Sequence, residues 1–120
     1  EEQVVVNRVS ETTTFIDIAE HIHDHVLSWK GYDELWDMSR LNFAQINREA
    51  LRKFSYEVER LSESRAGKKA AIVVSSHLGF GMIRMLEGLS EGKIKHEIRV
   101  FDEEQIARAW LNHPSSASSG

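Results

Sequence analysis

Three histidines at alternate positions, His21, His23 and His25, form the first group in this sequence whose side chains could hold a metal ion. On a helix, His21 and His25 share a face four residues apart while His23 points elsewhere. Asp17 lies one turn before His21 and would complete a His/carboxylate stripe. A zinc site needs a third or fourth ligand from another element. His77, His96 and His113 are available, but nothing in their spacing selects them. Polar residues flanking an apolar stripe explain the same histidines with fewer assumptions, so a metal-dependent enzyme ranks last among the functions considered.

A second group is Ser75-Ser76-His77-Leu78-Gly79-Phe80-Gly81, with Arg84 one turn further on. It follows a strongly apolar segment and reads as the turn from the carboxyl end of a strand into a helix. In open α/β sheets that edge is where ligands bind, and the helix start offers free N–H groups to an anion, with Arg84 placed to add charge. The glycine pattern is neither a P-loop nor a dinucleotide fingerprint. Ser76 beside His77 is not a nucleophile elbow, because G-x-S-x-G is absent. Plain turn and capping residues remain the competing account. Asp37, Ser39 and Arg40 fall at the end of an earlier strand, where Asp37 and Arg40 are either an ion pair lining the same edge or ordinary loop charges. Met82, Met85, Phe80, Trp36 and Trp110 could line an apolar pocket, although such spacing more often marks core. Phe80, between two glycines, is the ring expected to be partly exposed.

The elements that must position these residues alternate in type. Val4 to Val9 reads as a short strand. Thr14 and Asp17 form a variant capping box before a helix carrying Phe15, Ile18, Ala19, Ile22, Val26 and Trp29 at helical spacing, with Gly31 as its stop. Tyr32 to Met38 reads as a second strand. Asn47 caps a long helix whose inner face is Leu51, Phe54, Val58 and Leu61, ending before Gly67. Ala70 to Val74 has no polar interruption, as expected of a central strand covered on both faces in a parallel sheet. A third helix, Gly81 to Leu89, is expected to end at Gly92. Ile98 to Phe101 is the last strand, and Asp102 with Gln105 forms a capping box for a final helix whose inward residues are Ile106, Ala109, Trp110 and Leu111. The order β-α-β-α-β-α-β-α, with right-handed crossovers, predicts an α/β domain with a mainly parallel or mixed sheet of four to five strands and about four helices. It spans residues 1–113 as one domain, and residues 114–120 form a low-complexity tail.

The composition narrows the function classes. The chain has 120 residues, enough for one core. It carries 19 acidic against 15 basic side chains, a net charge of −4, which disfavours a phosphate backbone and argues against nucleic acid as a partner. No apolar run approaches the roughly 20 residues of a transmembrane helix. There are no cysteines, which removes disulfides and thiolate chemistry. No signal peptide is seen, so a cytoplasmic home is expected.

Taken together, Ala70-Ala71-Ile72-Val73-Val74, Gly81-Met82-Ile83-Arg84-Met85, Val100-Phe101-Asp102 and Ala109-Trp110-Leu111 resemble the SpoIIAA-like group of bacterial proteins, which is related to STAS domains. The resemblance runs from about Val4 to Leu111 and is most specific in its C-terminal pieces. It implies the order β-β-α-β-α-β-α-β-α, whose first strand would precede Val4 and is here missing or reduced to Glu1–Gln3. It also implies a non-enzymatic regulatory or ligand-binding module of a bacterial cytoplasm with no cofactor; relatives include regulators switched by phosphorylation of a Ser or Thr at the start of the second helix. Here that helix start offers Asn47, and Ser39 lies several residues too early, so the switch does not carry over. Through the lipid-carrying CRAL-TRIO folds, which are similar, it further suggests a carrier of an apolar molecule whose third helix lifts from the sheet. The candidate binding residues are therefore Asp37, Ser39, Arg40, Ser75, Ser76, His77, Phe80, Gly81 and Arg84. The partner is a protein or a small molecule, and an open sheet edge would allow a homodimer.

Overall fold

The apolar segment around residues 70–74 lies where its composition requires, inside the sheet. In the computed structural model, which describes residues 4–25, 28, 31–45, 47–61, 67–89 and 97–112, four strands alternate with four helices. The strands are β1 (Val4–Arg8), β2 (Asp33–Asp37), β3 (Lys69–Val73) and β4 (Glu97–Phe101); the helices are α1 (Phe15–His25), α2 (Arg48–Leu61), α3 (His77–Leu89) and α4 (Glu104–Asn112). The described strands pair in the order β1-β2-β3-β4, and every pairing is parallel. β3 is an inner strand with all five residues buried. An α/β domain with a parallel sheet and four helices is thus what the sequence predicts, resolved in favour of all-parallel over mixed.

Sequential strand order has a geometric consequence. Three successive crossovers of one hand, each stepping in the same direction, place their helices on one face of the sheet. α1, α2 and α3 share a core with Trp36, Ile72 and Val74. The alternate strand residues Leu35, Ala71 and Val73 point the other way and pack on Ala107 and Leu111 of α4. The first face is the larger core, anchored by Phe15, which stacks on Phe54 of α2 at a centroid distance of 4.8 Å and meets Phe43 edge-on at 6.2 Å. On the second face α4 is held at its far end by Lys69, whose buried ammonium donates to the Trp110 carbonyl at 3.1 Å and lies over the Trp110 ring.

The helix starts follow local chemistry. Thr14 and Asp17 make reciprocal bonds of 3.0 Å each, so the capping box forms as read from the sequence. Asn47 Oδ1 accepts from the Ala50 N–H at 2.8 Å and caps α2. Two starts differ from expectation. α3 begins at His77, four residues before Gly81, because Ser76 acts as its cap: its Oγ accepts from the Gly79 N–H and its carbonyl from the Phe80 N–H, both at 3.0 Å. The two glycines, which suggest a turn, instead lie inside the helix, and Gly79 has a packing reason to be there: a Cβ at this position would sit 2.7 Å from the Phe43 ring. α4 begins with the Glu103 carbonyl accepting from the Ala107 N–H, one residue after the predicted Asp102 cap. The inward face also differs from expectation. Ala107 and Leu111 are buried, Trp110 is half-buried, and Ile106 and Ala109, predicted to face inward, are exposed.

Gly31 and Gly67 both adopt positive φ, 91° and 83°, as chain-reversing glycines do after helices. The predicted end of the first helix at Trp29, Gly92, His96, His113 and the 114–120 tail lie outside the described residues. No helix among the described residues is long and apolar enough to cross a membrane.

Candidate functional site

The carboxyl ends of the four strands line up along one edge, and the hydrogen-bond ladder runs one residue past the strands. Val9 N–H donates to Asp37 O, Met38 N–H to Val73 O, and Val74 N–H to Phe101 O. Beyond that row the two halves of the edge diverge.

At β1 and β2 the polar groups bond to one another. Asp37 Oδ1 accepts from the Ser39 hydroxyl at 2.6 Å and the Ser39 N–H at 3.1 Å, and its Oδ2 accepts from Arg8 Nη1 at 2.7 Å. Burial pushes the Asp37 carboxyl upward, but the Ser39 bonds and Arg8 outweigh it and hold it below the ordinary carboxylate value. The Arg8 guanidinium also grips Glu104 of α4 with two bonds of 2.9 and 3.1 Å, and Arg108 adds a third at 2.9 Å. Glu104 is lowered from 4.5 to about 2, chiefly by the Arg8 bonds, then by Arg108. Ser75 Oγ donates to the Ser39 carbonyl at 2.7 Å, linking this network to the end of β3.

At β3 and β4 the edge opens. α3 leaves β3 toward the three-helix face, whereas α4 leaves β4 toward the opposite face. Adjacent strands whose connections part to opposite sides leave a crevice outside their carboxyl ends. It is present: a hollow of about 620 Å³ lined by Val74, Ser75, Ser76, His77, Phe80 and Asp102. The first turn of α3 opens onto it, so unbonded N–H groups and the positive helix end are at hand. Asp102 brings a carboxylate to the other wall, while Val74 and the half-buried Phe80 form an apolar floor.

Four of the nine sequence-predicted residues, Ser75, Ser76, His77 and Phe80, line this crevice. Asp37 and Ser39 belong to the neighbouring network and touch the crevice only through Ser75. Arg84 lies beside it, its guanidinium 5.9 Å from the Phe80 ring centroid. Gly81 is exposed within α3. Arg40 turns away: its partner is Glu11, at 3.1 Å, so the Asp37–Arg40 pair considered from the sequence is replaced by Asp37–Arg8 and Arg40–Glu11. Met85 is exposed and Trp36 is buried in the core, so the broader apolar pocket does not assemble. Arg8, Glu104 and Asp102 are absent from the sequence-derived set. Asp102 follows a strand directly and could have been found by the edge argument that selects Ser75; Arg8 and Glu104 meet across 96 positions, with no local signal.

The first-helix histidines do not converge. The rings of His21 and His25 lie 4.5 Å apart, and His21 Nε2 is 3.2 Å from Asn7 Oδ1. Partial burial, then the neighbouring His25, lowers the His21 pKa. His23 turns to Arg60, 2.6 Å away. Among the described residues no three His, Asp or Glu side chains are grouped to hold a metal.

The fold and crevice together define an all-parallel α/β domain, sequentially ordered, with a ligand-sized hollow at the point where its last two helices separate. Comparison with protein-family models, with curated proteins and with solved structures gives no match to this chain.

Proposed function

We propose that this chain is a non-enzymatic binding module, of the kind represented by the SpoIIAA-like, STAS-related regulators of bacterial cytoplasm, and that it holds a small molecule with an apolar body and polar ends in the β3–β4 crevice. The observation that carries this reading is the position of the hollow, at the one strand junction whose connections part to opposite faces. Its lining suits such a ligand: the floor of Val74 and Phe80 takes the body, the α3 start takes an acceptor or anionic group, and Asp102 takes a donor. Binding is favoured over bond-making by the hydroxyls. Ser75 donates to the Ser39 carbonyl and Ser76 accepts from the Gly79 N–H, and neither is hydrogen-bonded to His77 as an activated nucleophile would be to its base. The apolar-carrier alternative requires α3 to leave the sheet, and the seam it would open is filled by the fully buried Ile83.

A panel of amino acids, small carboxylates and nucleosides, screened against the intact chain by thermal shift and amide NMR, tests the proposal. At least one compound should raise the melting temperature and move the resonances of residues 75–80 and 102. Asp102→Asn and Phe80→Ala should each weaken it about tenfold or more, equivalent to about 1.4 kcal/mol. A panel that leaves those resonances still, or a hit indifferent to both variants, defeats it.

A further inference from the structure

On the outer surface of α1 and α2, remote from the crevice, a groove of about 760 Å³ runs between the two helices. Its apolar lining is incompletely covered: Ile16 on α1 is 46% exposed and Tyr56 on α2 is 61% exposed. The two rims differ in sign. The α1 rim carries Glu20 and Asp24, and the α2 rim carries Arg52 and Lys53. Glu57, also on α2, is already held by Arg60 at 2.9 Å, with His23 beside it.

These rim charges are not engaged with each other. Among the described residues, every lysine and arginine but three holds a carboxylate, a carbonyl oxygen or an aromatic face. The three exceptions, Arg48, Arg52 and Lys53, all sit on the exposed side of α2. Among the described residues neither Glu20 nor Asp24 forms a salt bridge, although Asp24 acts electrostatically on the neighbouring His21. A groove with cations on one wall and carboxylates on the other, and no salt bridge joining them, fits a partner with the reverse arrangement.

That partner is a second copy of this chain, and we propose that the α1/α2 face forms a two-fold homodimer. α1 and α2 both connect parallel strands, so they run in the same direction, and their caps Thr14 and Asn47 border one hollow, which brings the two helix starts together. Glu20 is the sixth residue after Thr14 and Lys53 the sixth after Asn47, so each stands about 9 Å along its helix. A two-fold axis along the groove lays α1 of one copy over α2 of the other at equal height. Glu20 then meets Lys53 of the partner twice by symmetry, and Ile16 and Tyr56 enter the opposite groove. An axis across the helices would instead set Glu20 and Asp24 against their own copies.

Sedimentation velocity on the intact chain, from micromolar to near-millimolar concentration, tests this. A reversible dimer that weakens with added salt is expected. Lys53→Glu and Glu20→Lys should each raise the dissociation constant about tenfold, and the double charge swap should return it close to the original value. A chain that stays monomeric throughout overturns the proposal and leaves the groove to a different partner. A dimer indifferent to the single reversals, as pairing through the β1 edge would be, or one that the double swap fails to restore, overturns it as well.

Discussion

The β1–β2 half of the carboxyl edge and the β3–β4 half are built from similar residues, serine hydroxyls, an aspartate and a basic group, yet they do opposite things. In the first half the charged groups are held by their neighbours: Asp37 accepts from Ser39 and Arg8, and Arg8 bridges to Glu104 on α4. In the second half Ser76, His77 and Asp102 face a hollow. Residue type does not separate them. Topology does, because the chain exits β1 and β2 to the same side and the loops close on one another, whereas it exits β3 and β4 to opposite sides. A carboxylate at a strand end is therefore structural or available for a ligand according to where the next helix goes.

If that contrast is real, the wall of the crevice must be rigid, and the most damaging substitution should be one that frees α3. Ile83 is fully buried beneath it. Ile83→Ala removes three carbons from a close-packed site and should cost about 2–5 kcal/mol in urea unfolding. A cost well under 1 kcal/mol would mean that α3 detaches easily, and would revive the carrier with its lifting helix.

The next effect comes from Gly79. A Cβ there would sit 2.7 Å from the Phe43 ring, which is itself buried against Phe15. The helix-propensity gain of Gly→Ala, about 1 kcal/mol, is then outweighed, and a net loss of about 1–3 kcal/mol is expected from overpacking. Phe43→Leu should relieve the clash, so that thermal unfolding of the double variant shows less loss than the two single variants added together.

Much of this edge was legible before the structure, and what was not has a physical cause. The uninterrupted run Ala70–Val74 identifies an inner parallel strand because such a strand alone is apolar on both faces, and Thr14, Asp17 and Asn47 announce their helices because capping is local chemistry. The start of α3 was misplaced by four residues, since glycine signals a turn locally while the demand on Gly79 comes from Phe43, 36 positions away. The face of α4 differs because Ile106 is apolar without being covered by the sheet, whereas Trp110 does pack on it beside Phe101. Arg8 stayed invisible for the same reason: its meaning lies in Asp37 and Glu104, which only the parallel register of β1 on β2 and the return of α4 bring to it.

The closed half should reveal itself in acid. Asp37→Asn removes the charge and replaces one of the two oxygens that accept from Ser39 and Arg8 with a donor, and should cost about 1–2 kcal/mol at neutral pH. Glu104 and Asp37 both have folded-state pKa values below their unfolded ones, so the stability they contribute is complete above the unfolded values and disappears as pH falls through the folded ones. The loss therefore begins near 4.5 and continues to about 2 for Glu104. Carboxyl-carbon NMR should place the Glu104 midpoint near the low end of that interval, and Arg8→Met should raise it part of the way, Arg108 retaining a share. A midpoint at the ordinary value in the unmodified chain would show that the network does not hold in solution.

The smallest effect on folding is the one that separates the halves most sharply. Asp102 is exposed on the crevice wall, and the helix it precedes is capped by Glu103 instead. Asp102→Asn keeps size and shape, so its cost in thermal or urea unfolding should lie within about 0.5 kcal/mol. Asp37→Asn, the same chemical change at the equivalent strand end two strands away, should exceed it severalfold. Unfolding reads the closed half and ligand titration reads the open half, so the pair of variants should give crossed results: Asp37→Asn loses stability and retains ligand, while Asp102→Asn retains stability and loses ligand. Equal stability losses would mean that Asp102 has internal duties like those of Asp37, and the distinction drawn from helix direction would fail.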